Sequence, residues 1–413
     1  MAGIYIHIPF CRKACHYCNF HFSTSLGTID RMVDALIREM DLAAGFLEGA
    51  AGAGREGAAP RSSGTAAGAG DAGRKGAPHV GTVYLGGGTP SLLPDTALQR
   101  LLDAVRHRYA VAEGAEVTLE ANPDDIGAEK LEAWKRAGIN RLSIGVQSFR
   151  DADLQWMNRA HNAGQAREAI RAARAAGFDH DSIDLIYGTP GLSDDALKEN
   201  LAEAIALGCP HLSCYALTVE PRTALDKDIR RGKMPPIDPE VQARQFLLVM
   251  DTLKDAGYEH YEISNFALPG HRSRHNSSYW QGVPYLGLGP SAHSFDGRNR
   301  RWNVSNNALY LEAIAKGEIP FEVEALTPVQ RLNEYIMISI RTMEGLDLER
   351  VEREWGKAER GIIEQQAKSM EAKGWMLSAG SNRILTKEGK LFADGIASDL
   401  FFEEPAAGEA DPG

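Results

Sequence analysis

Residues 7–20 read HIPFCRKACHYCNF and place three cysteines, Cys11, Cys15 and Cys18, within eight positions. The chain of 413 residues has only five cysteines, so this concentration indicates a shared ligand rather than chance. Iron in a small iron–sulfur cluster prefers closely spaced, soft thiolate ligands. Three thiolates can hold three corners of a cubane [4Fe–4S] cluster and leave the fourth iron open to an exogenous ligand. We therefore predict a [4Fe–4S] cluster at these cysteines.

Two other uses of the three cysteines have to be weighed. A structural zinc ion could take the thiolates with His16 or His21 as its fourth ligand. Such sites usually combine two ligand pairs, and the sequence contains no second Cys-x-x-Cys. Disulfides are disfavoured by the odd number of cysteines and by a first stretch, MAGIYIHIPF, that lacks the pattern of a secretory signal. The cluster remains the favoured interpretation.

The composition excludes several classes of function. Apolar residues make up 43% and charged residues 24% of the chain, as in soluble globular proteins of two or three domains. A net charge of −11 gives no basic surface, so we expect no nucleic-acid partner. No stretch approaches the 18 apolar residues of a membrane span. Free thiols ready to bind iron predict a cytoplasmic location.

One internal segment lacks the composition of a folded core. Residues 49–77 contain 19 Gly or Ala among 29 residues and no Val, Ile, Leu, Met or aromatic residue. Such a segment cannot bury enough apolar surface to offset its ordering entropy. We interpret it as a flexible surface insertion, with a regulatory lid as the alternative. Residues 401–413 are interpreted as a frayed tail.

Short β-rich runs alternate with helical patterns through the first half of the chain. The first helical pattern, from Ile29 to Met40, has apolar residues at i, i+3, i+4, i+7, i+8 and i+11, which form one helix face. Six βα units predict a parallel sheet with right-handed crossovers, either doubly wound or an open partial barrel with its chemistry at the carboxyl ends of the strands. The predicted strands are Ile4–Ile8, Thr82–Gly86, Glu116–Ala121, Arg141–Val146, Ser182–Tyr187 and His211–Leu217, with further helices near 98–105, 126–137, 163–177 and 194–208.

The pattern changes after about residue 300. Residues 326–344 and 350–373 are helical in pattern, and GWMLSAGSNRILTKEGKLFADGI (374–396) predicts a small β-wing followed by a helix. On an acidic chain this winged-helix-like unit is expected to serve as a packing or lid domain rather than to bind DNA. The predicted division is a core over 1–235, the end of the core with a linker region over 236–300, and a C-terminal helical domain over 301–400.

A glycine run, Leu85-Gly86-Gly87-Gly88-Thr89-Pro90, follows the second predicted strand. Glycines let the backbone approach a ligand closely, so that its N–H and C=O groups can bind polar ends of that ligand. Alone such a run is a weak signal, because many strand-to-helix turns need glycine. Behind a C-x3-C-x2-C on the first loop it becomes a strong one.

These motifs resemble those of the radical S-adenosylmethionine (radical SAM) enzymes, and specifically the oxygen-independent coproporphyrinogen III oxidases and their relatives. The resemblance covers essentially the whole chain except the insertion and the tail. It implies an α/β fold, a radical SAM (β/α)6 partial barrel with a smaller C-terminal helical domain, and a cluster whose open iron takes the amino and carboxylate groups of SAM. The matching motifs are YIHIPFCxxxCxYCxF, LGGGTPS, EANPD, RLSIGVQSF, DLIYGTPG, YALTVEP and YLGLGPSAHSF.

The resemblance also implies roles for individual residues. A carboxylate at the strand end, Glu120, suits ribose hydroxyls or the SAM amine, with a surface carboxylate as the alternative. Arg159 can pair with the SAM carboxylate through a bidentate fork. Asp184 lies inside an apolar strand, where an unpaired charge is costly, and its position in the family serves the SAM ribose. The other SAM contacts implied are Tyr5 and Tyr17 beside the cluster, Gly87, Gly88 and Thr89 at the methionine part, Gln147 at the next strand end, and, more loosely, Ala216 and His293 on the adenine side.

Two departures separate this chain from the oxidases within that family. The oxidases carry a fourth cysteine, C-x3-C-x2-C-x-C, where this chain has Phe20, and a long N-terminal extension, where only ten residues precede Cys11. Both place the chain with the sister group of radical SAM haem chaperones. That group shares a His-Asn-x-x-Tyr-Trp motif, and residues 275–280 here read HNSSYW.

The HNSSYW motif has a physical rationale for haem. A histidine such as His275 can ligate iron, and aromatic side chains offer flat apolar faces to a macrocycle. The residues alone instead favour a structural loop with Tyr279 and Trp280 in the core, and only the resemblance reverses that preference. Covalent c-type attachment is excluded, because Asn19 rather than histidine follows Cys18.

Three hypotheses follow from these observations. The first is a chaperone that binds haem and a SAM-liganded cluster and passes haem to respiratory proteins, including acceptors at the membrane. The second is an enzyme that decarboxylates coproporphyrinogen III oxidatively by SAM radical chemistry. The third is a zinc-stabilised structural or nucleic-acid protein. No residue is assigned a catalytic role, and the resemblance suggests a homodimer.

Overall fold

The computed structural model describes residues 1–48 and 79–404. The predicted insertion at 49–77 lies outside the described residues, as does most of the predicted tail. Within the described ranges no helix is both long enough and apolar enough to cross a membrane.

A twelve-stranded sheet forms the centre of the larger part of the molecule. Strands β1 to β6 pair in chain order and in parallel, and β9 pairs in parallel with the free side of β1. Short antiparallel strands extend both edges and give the order β12-β11-β10-β9-β1-β2-β3-β4-β5-β6-β8-β7. The strands are β1 Ala2–Ile8, β2 His79–Gly87, β3 Ala110–Ala121, β4 Arg141–Gln147, β5 Ser182–Tyr187, β6 His211–Ala216, β7 Glu259–Glu262, β8 Asn265–Ala267, β9 Tyr285–Leu288, β10 His293–Phe295, β11 Asn299–Asn303 and β12 Phe321–Ala325.

Helices connect the parallel strands and cover the sheet. The predicted apolar face of the first helix is buried, with Met32, Val33, Leu36 and Met40 in the main core. Local sequence also explains where helices begin, since Asn162 with Gln165 forms a capping box at the start of α5. The helices are α1 Ile29–Leu42, α2 Asp95–Arg108, α3 Ala128–Ala137, α4 Asp151–Trp156, α5 Ala163–Ala175, α6 Asp194–Ala206, α7 Ala224–Arg230, α8 Pro239–Asp255, α9 Arg274–Trp280, α10 Asn307–Ala315, α11 Pro328–Ser339, α12 Leu348–Glu354, α13 Lys357–Ala372 and α14 Ala393–Asp399.

A second, smaller core is built from residues 332–400. It contains α11 to α14 and a three-stranded sheet of β13 (Leu346–Asp347), β14 (Met376–Ala379) and β15 (Asn382–Leu385), in which β14 and β15 form the predicted wing. The boundary predicted at residue 300 falls inside β11. Strands β11 and β12 instead join the main sheet, and Tyr310 and Ile314 of α10 pack into the main core. The C-terminal unit therefore begins near residue 326.

Candidate functional site

A cavity of about 410 Å³ lies where the carboxyl ends of β1 to β6 meet. Each of these six strands, or the loop directly after it, contributes to the cavity wall. Twelve of the fifteen predicted site residues line this strand-end cavity, and Tyr5, His275 and His293 do not. The twelve are Cys11, Cys15, Tyr17, Cys18, Gly87, Gly88, Thr89, Glu120, Gln147, Arg159, Asp184 and Ala216.

The three predicted ligand cysteines are free, half-buried thiols on the loop after β1. The Thr89 hydroxyl donates to Sγ of Cys11 at 3.4 Å, and Nη1 of Arg159 donates to Sγ of Cys15 at 3.4 Å. Burial raises the pKa of the Cys18 thiol to about 11. Its thiolate is therefore stabilised only with positive charge close by, as cluster iron would supply.

The same geometry argues against the zinc alternative. A single zinc ion would draw its sulfurs to within about 3.8 Å of each other, because each Zn–S bond is about 2.3 Å long. Over residues 1–48 and 79–404 no group of three His, Cys, Asp or Glu side chains is arranged to hold one ion. Each of the two proposed fourth ligands already uses one ring nitrogen, since Nδ1 of His16 bonds to the Trp156 carbonyl and Nε2 of His21 bonds to Oδ1 of Asn307. A cluster spreads its thiolates over three different irons and does not need the three sulfurs around one ion.

Arg159 places a buried guanidinium at the cavity wall. Its Nη2 donates to Oδ1 of Asn122 at 2.7 Å and to the carbonyl of Gly145 at 2.8 Å. Its Nε is buried without a hydrogen-bond partner among the described residues. An unpartnered donor on a fixed guanidinium is suited to an anionic group such as a carboxylate.

Two carboxyl groups and a residue with strained backbone complete the cavity wall. Glu120 accepts from the Tyr84 hydroxyl at 2.8 Å and from the Gly87 N–H at 3.1 Å. Burial raises the pKa of Glu120 to about 7 and that of Asp184 to about 6. Gln147 ends β4 with a φ of 67°, and such left-handed backbone in a non-glycine residue costs roughly 1–3 kcal/mol and concentrates at functional sites. The cavity therefore offers three thiols, the Arg159 guanidinium and the carboxyl groups of Glu120 and Asp184 to a polar, zwitterionic ligand.

Comparison with known proteins agrees with this geometry. The sequence profile of the Radical SAM superfamily matches residues 5–204. A curated protein of Mycobacterium tuberculosis strain H37Rv named "Heme chaperone HemW" is 38% identical over 403 residues, which are 96% of this chain and 94% of that protein. The chain belongs to the HemW family of radical SAM proteins. Proteins of the same name from Bacillus subtilis and Escherichia coli are each 32% identical and are covered over 98% of their length, with 96% and 97% of this chain matched.

The fold is also found in a solved structure. "Coproporphyrinogen III oxidase (HemN) from Escherichia coli is a Radical SAM enzyme" has a TM-score of 0.79, covers 97% of this chain and 90% of that chain, and is 22% identical. At that identity the likeness shows the fold alone, and it confirms the predicted α/β radical SAM architecture. Radical SAM membership implies SAM and a [4Fe–4S] cluster as cofactors.

His275, the histidine of the HNSSYW motif, does not line the strand-end cavity. It is 1% exposed, and its ring nitrogens lie 2.8 Å from the Thr82 hydroxyl and 2.8 Å from the Tyr279 hydroxyl. Its ring also stacks on Tyr84 at 4.9 Å. With both nitrogens bonded and no exposed edge, His275 is not placed to ligate iron in this conformation. It holds the motif's tyrosine in position, as the residues alone suggested, although its partners are side chains rather than backbone.

Two further predicted SAM contacts lie outside the cavity. Tyr5 is within β1, where its hydroxyl hydrogen-bonds to Nδ1 of His7 at 3.1 Å. His293 is exposed on β10, with its ring 6.0 Å from that of Trp302. Tyr5 thus supports the residues behind the wall, and His293 belongs to the antiparallel edge of the sheet.

The cavity includes polar residues that the sequence argument did not select. Asn122 orients Arg159 and also donates from Nδ2 to the Thr89 hydroxyl at 3.3 Å. Lys13 and Tyr215 line the same cavity. Asn122 follows Glu120 by two positions at the end of β3. Because alternate side chains of a strand lie on the same face, this spacing could have indicated that Asn122 lines the same cavity as Glu120.

Gly88 allows the glycine run to lie against the loop that carries the cysteines. A Cβ atom at this position would lie 2.6 Å from the Phe10 carbonyl oxygen and 2.8 Å from the Ile8 carbonyl oxygen, both backbone atoms. We expect Gly88→Ala to lower the free energy of unfolding by about 1–3 kcal/mol. A Cβ atom at Gly361, within α13, would instead have nothing within 4 Å of it. Gly361→Ala should therefore be neutral or stabilising in the same urea titration of cluster-free protein, and equal effects would contradict the argument.

Proposed function

We propose that this protein is a haem chaperone that binds haem, holds a SAM-liganded [4Fe–4S] cluster in the strand-end cavity, and passes haem to respiratory haem proteins. The observation that carries this is the 38% identity with a named haem chaperone over 96% of this chain. Phe20, 66% exposed at the cavity wall, supports it, because the sequence places this apolar residue where the oxidase pattern has a fourth cysteine. Delivery in the cytoplasm to acceptors that include membrane enzymes, and a homodimer, are parts of the same proposal.

The proposed roles follow from the cavity wall. Cys11, Cys15 and Cys18 would hold three irons of the cluster. Arg159 would take the SAM carboxylate through its free donor, while the backbone at Gly87, Gly88 and Thr89 would bind the methionine part. The other wall residues proposed to contact SAM are Tyr17, Glu120, Gln147, Asp184 and Ala216. When bound, the reduced cluster can supply an electron to the SAM sulfonium, and the protein's part is to orient SAM and exclude water.

The raised pKa of Glu120 predicts a pH dependence of SAM binding. A carboxyl group with a pKa of about 7 is largely ionised at pH 8 and only about one tenth ionised at pH 6. Since the cationic part of SAM favours the ionised forms, affinity in the wild type should fall roughly twentyfold from pH 8 to pH 6, about tenfold of it from Glu120. In Glu120→Gln about a twofold change should remain, from Asp184 with its pKa of about 6.

The measurement is equilibrium SAM binding to the cluster-reconstituted protein at both pH values. Titration of SAM itself affects the wild type and Glu120→Gln equally. Comparing the ratio of affinities at pH 8 and pH 6 between these two proteins therefore isolates the contribution of Glu120. A ratio in Glu120→Gln equal to that of the wild type would show that Glu120 does not face the ligand's charge.

The proposed function is tested by two assays on cluster-reconstituted protein under anaerobic conditions. Haem titration should give a saturable, stoichiometric complex. Incubation with SAM, a reductant and coproporphyrinogen III should give no protoporphyrinogen, read by chromatography, from protein with full iron and sulfide content. Many turnovers to protoporphyrinogen would identify an oxidase that works without the fourth cysteine, and absence of haem binding would equally overturn the chaperone proposal.

A further inference from the structure

A second cavity, of about 330 Å³, lies between the main sheet and the C-terminal unit. Tyr279 and Trp280, the last two residues of the HNSSYW motif, form part of one wall. The facing wall is formed by α11 and α12, including Tyr335 and Trp355. The motif that matches the chaperone group therefore reaches a cavity through its aromatic residues, while His275 stays behind them.

The lining of this second cavity is unusually aromatic. Six of its fifteen lining residues are Phe, Tyr or Trp, against 8% of the whole chain. Tyr335 and Trp355 stack with their planes 15° apart, and Arg350 lies over the Tyr335 ring at 4.3 Å, so the stack holds the half-buried Trp355 rigidly in the cavity wall. Large aromatic faces of this kind suit a planar macrocycle. The six aromatic residues are Tyr279, Trp280, Tyr285, Phe295, Tyr335 and Trp355.

The same cavity carries an excess of positive charge on an acidic protein. Arg300 pairs with Glu334 through two hydrogen bonds of 2.6 and 2.9 Å, and Arg350 pairs with Glu354 at 2.9 Å. Arg331 forms no ion pair with any described residue, and its Nε is buried without a hydrogen-bond partner among them. Arg300 and Arg350 are therefore each held by a carboxylate and by an aromatic ring. Arg331 is held by neither among the described residues and can receive an anionic group.

We propose that the second cavity is the haem site, in which Arg331 receives a haem propionate and Trp355, held by its stack on Tyr335, faces the macrocycle. This inference rests on the proposed haem-chaperone function and assigns residues of the C-terminal unit to it. Haem combines a flat apolar ring with two carboxylates on one edge. The second cavity offers a matching aromatic wall and Arg331, which forms no ion pair with any described residue.

The size of the second cavity suits a carrier. A volume of about 330 Å³ is at the lower end for small-molecule sites. It encloses part of a macrocycle and leaves the remainder accessible to an acceptor protein. A fully enclosed site would hold haem more tightly and would oppose transfer.

The test compares haem and haem dimethyl ester, in which both propionates are esterified, on full-length, cluster-reconstituted protein. Arg331→Gln should bind haem about tenfold more weakly than wild type or worse, because it loses a charge-assisted contact. Wild type should bind the ester as weakly as Arg331→Gln does, and the variant should not distinguish the two ligands. Trp355→Leu should weaken binding of both ligands.

Arg360→Gln is the matched control, since Arg360 lies in the same unit on α13 and pairs with Glu352 and Glu364. It should bind haem like wild type, and unchanged thermal unfolding would show that each variant folds. If wild type binds haem but both Arg331→Gln and Trp355→Leu bind it equally well, this assignment is wrong and the chaperone function stands. If wild type itself binds no haem, the proposed function fails.

Discussion

Cys18→Ala is expected to retain little iron and sulfide after anaerobic cluster reconstitution, and to lose the visible thiolate-to-iron absorption. The variant keeps only two of the three thiolates that line the strand-end cavity, and two thiolates leave two irons without protein ligands. Cys18 is the cleanest of the three to replace. Its sulfur accepts from the Phe20 backbone N–H, whereas Cys11 and Cys15 accept from side chains that would lose a partner.

Cys214→Ala provides the matched control for this experiment. Cys214 is 2% exposed in the main core on β6 and does not line the cavity. Its replacement should leave iron and sulfide at the wild-type level, with at most a modest loss of stability. Equal iron content in Cys18→Ala and Cys214→Ala would show that the loop after β1 does not hold the cluster. Stoichiometric zinc without sulfide in the wild type would restore the zinc alternative.

The parallel half of the sheet could be predicted from sequence because each of its strands is a local signal. All six predicted strands are present, and β5 has the predicted limits Ser182 and Tyr187. The main difference is β3, which begins at Ala110 rather than Glu116. Its first residues pair with His79 and Val80 at the start of β2, and such a partner leaves no trace in local periodicity.

The antiparallel edges could not be predicted in this way. Strand β9 pairs with β1, bringing Tyr285 beside Gly3 although the two residues are far apart in sequence. Strand β10 has only three residues, too few to show a period of two, and β11 reads NRRWN, with a single apolar residue. The predicted boundary at residue 300 lies inside β11, and the smaller core begins only after β12.

Site residues at the ends of strands could be predicted from the sequence. Residues within a strand could not, because their distance from the strand end decides whether they reach the cavity. Parallel strands bring their carboxyl ends together, so Glu120, Gln147 and Asp184 line one cavity despite their distance in sequence. Tyr5 lies three residues before the end of β1, and a motif match does not show that its hydroxyl is directed at His7. His275 likewise needed the structure, because burial and two side-chain partners are properties of the fold.

Arg159→Gln is expected to weaken SAM binding by about ten- to a hundredfold in cluster-reconstituted protein. The guanidinium is held by Asn122 and the Gly145 carbonyl, and its Nε has no partner among the described residues, so it meets a carboxylate without having to be ordered first. Charge-assisted hydrogen bonds of this kind are worth roughly 1.5–3 kcal/mol, which corresponds to that range of affinity. Equilibrium SAM binding at pH 8 measures the change.

The comparison must separate SAM binding from cluster assembly, because Arg159 also donates to Cys15. Only preparations with matched iron and sulfide content are therefore compared. Arg167→Gln is the control, since Arg167 forms an ion pair with Glu203 and does not line the cavity. Arg159→Lys should recover little, because a lysine keeps the charge but cannot bond Asn122, Gly145 and a carboxylate with one planar fork. SAM affinity within twofold of wild type in Arg159→Gln would place the SAM carboxylate elsewhere in the cavity, whereas full recovery by lysine would show that charge alone binds it.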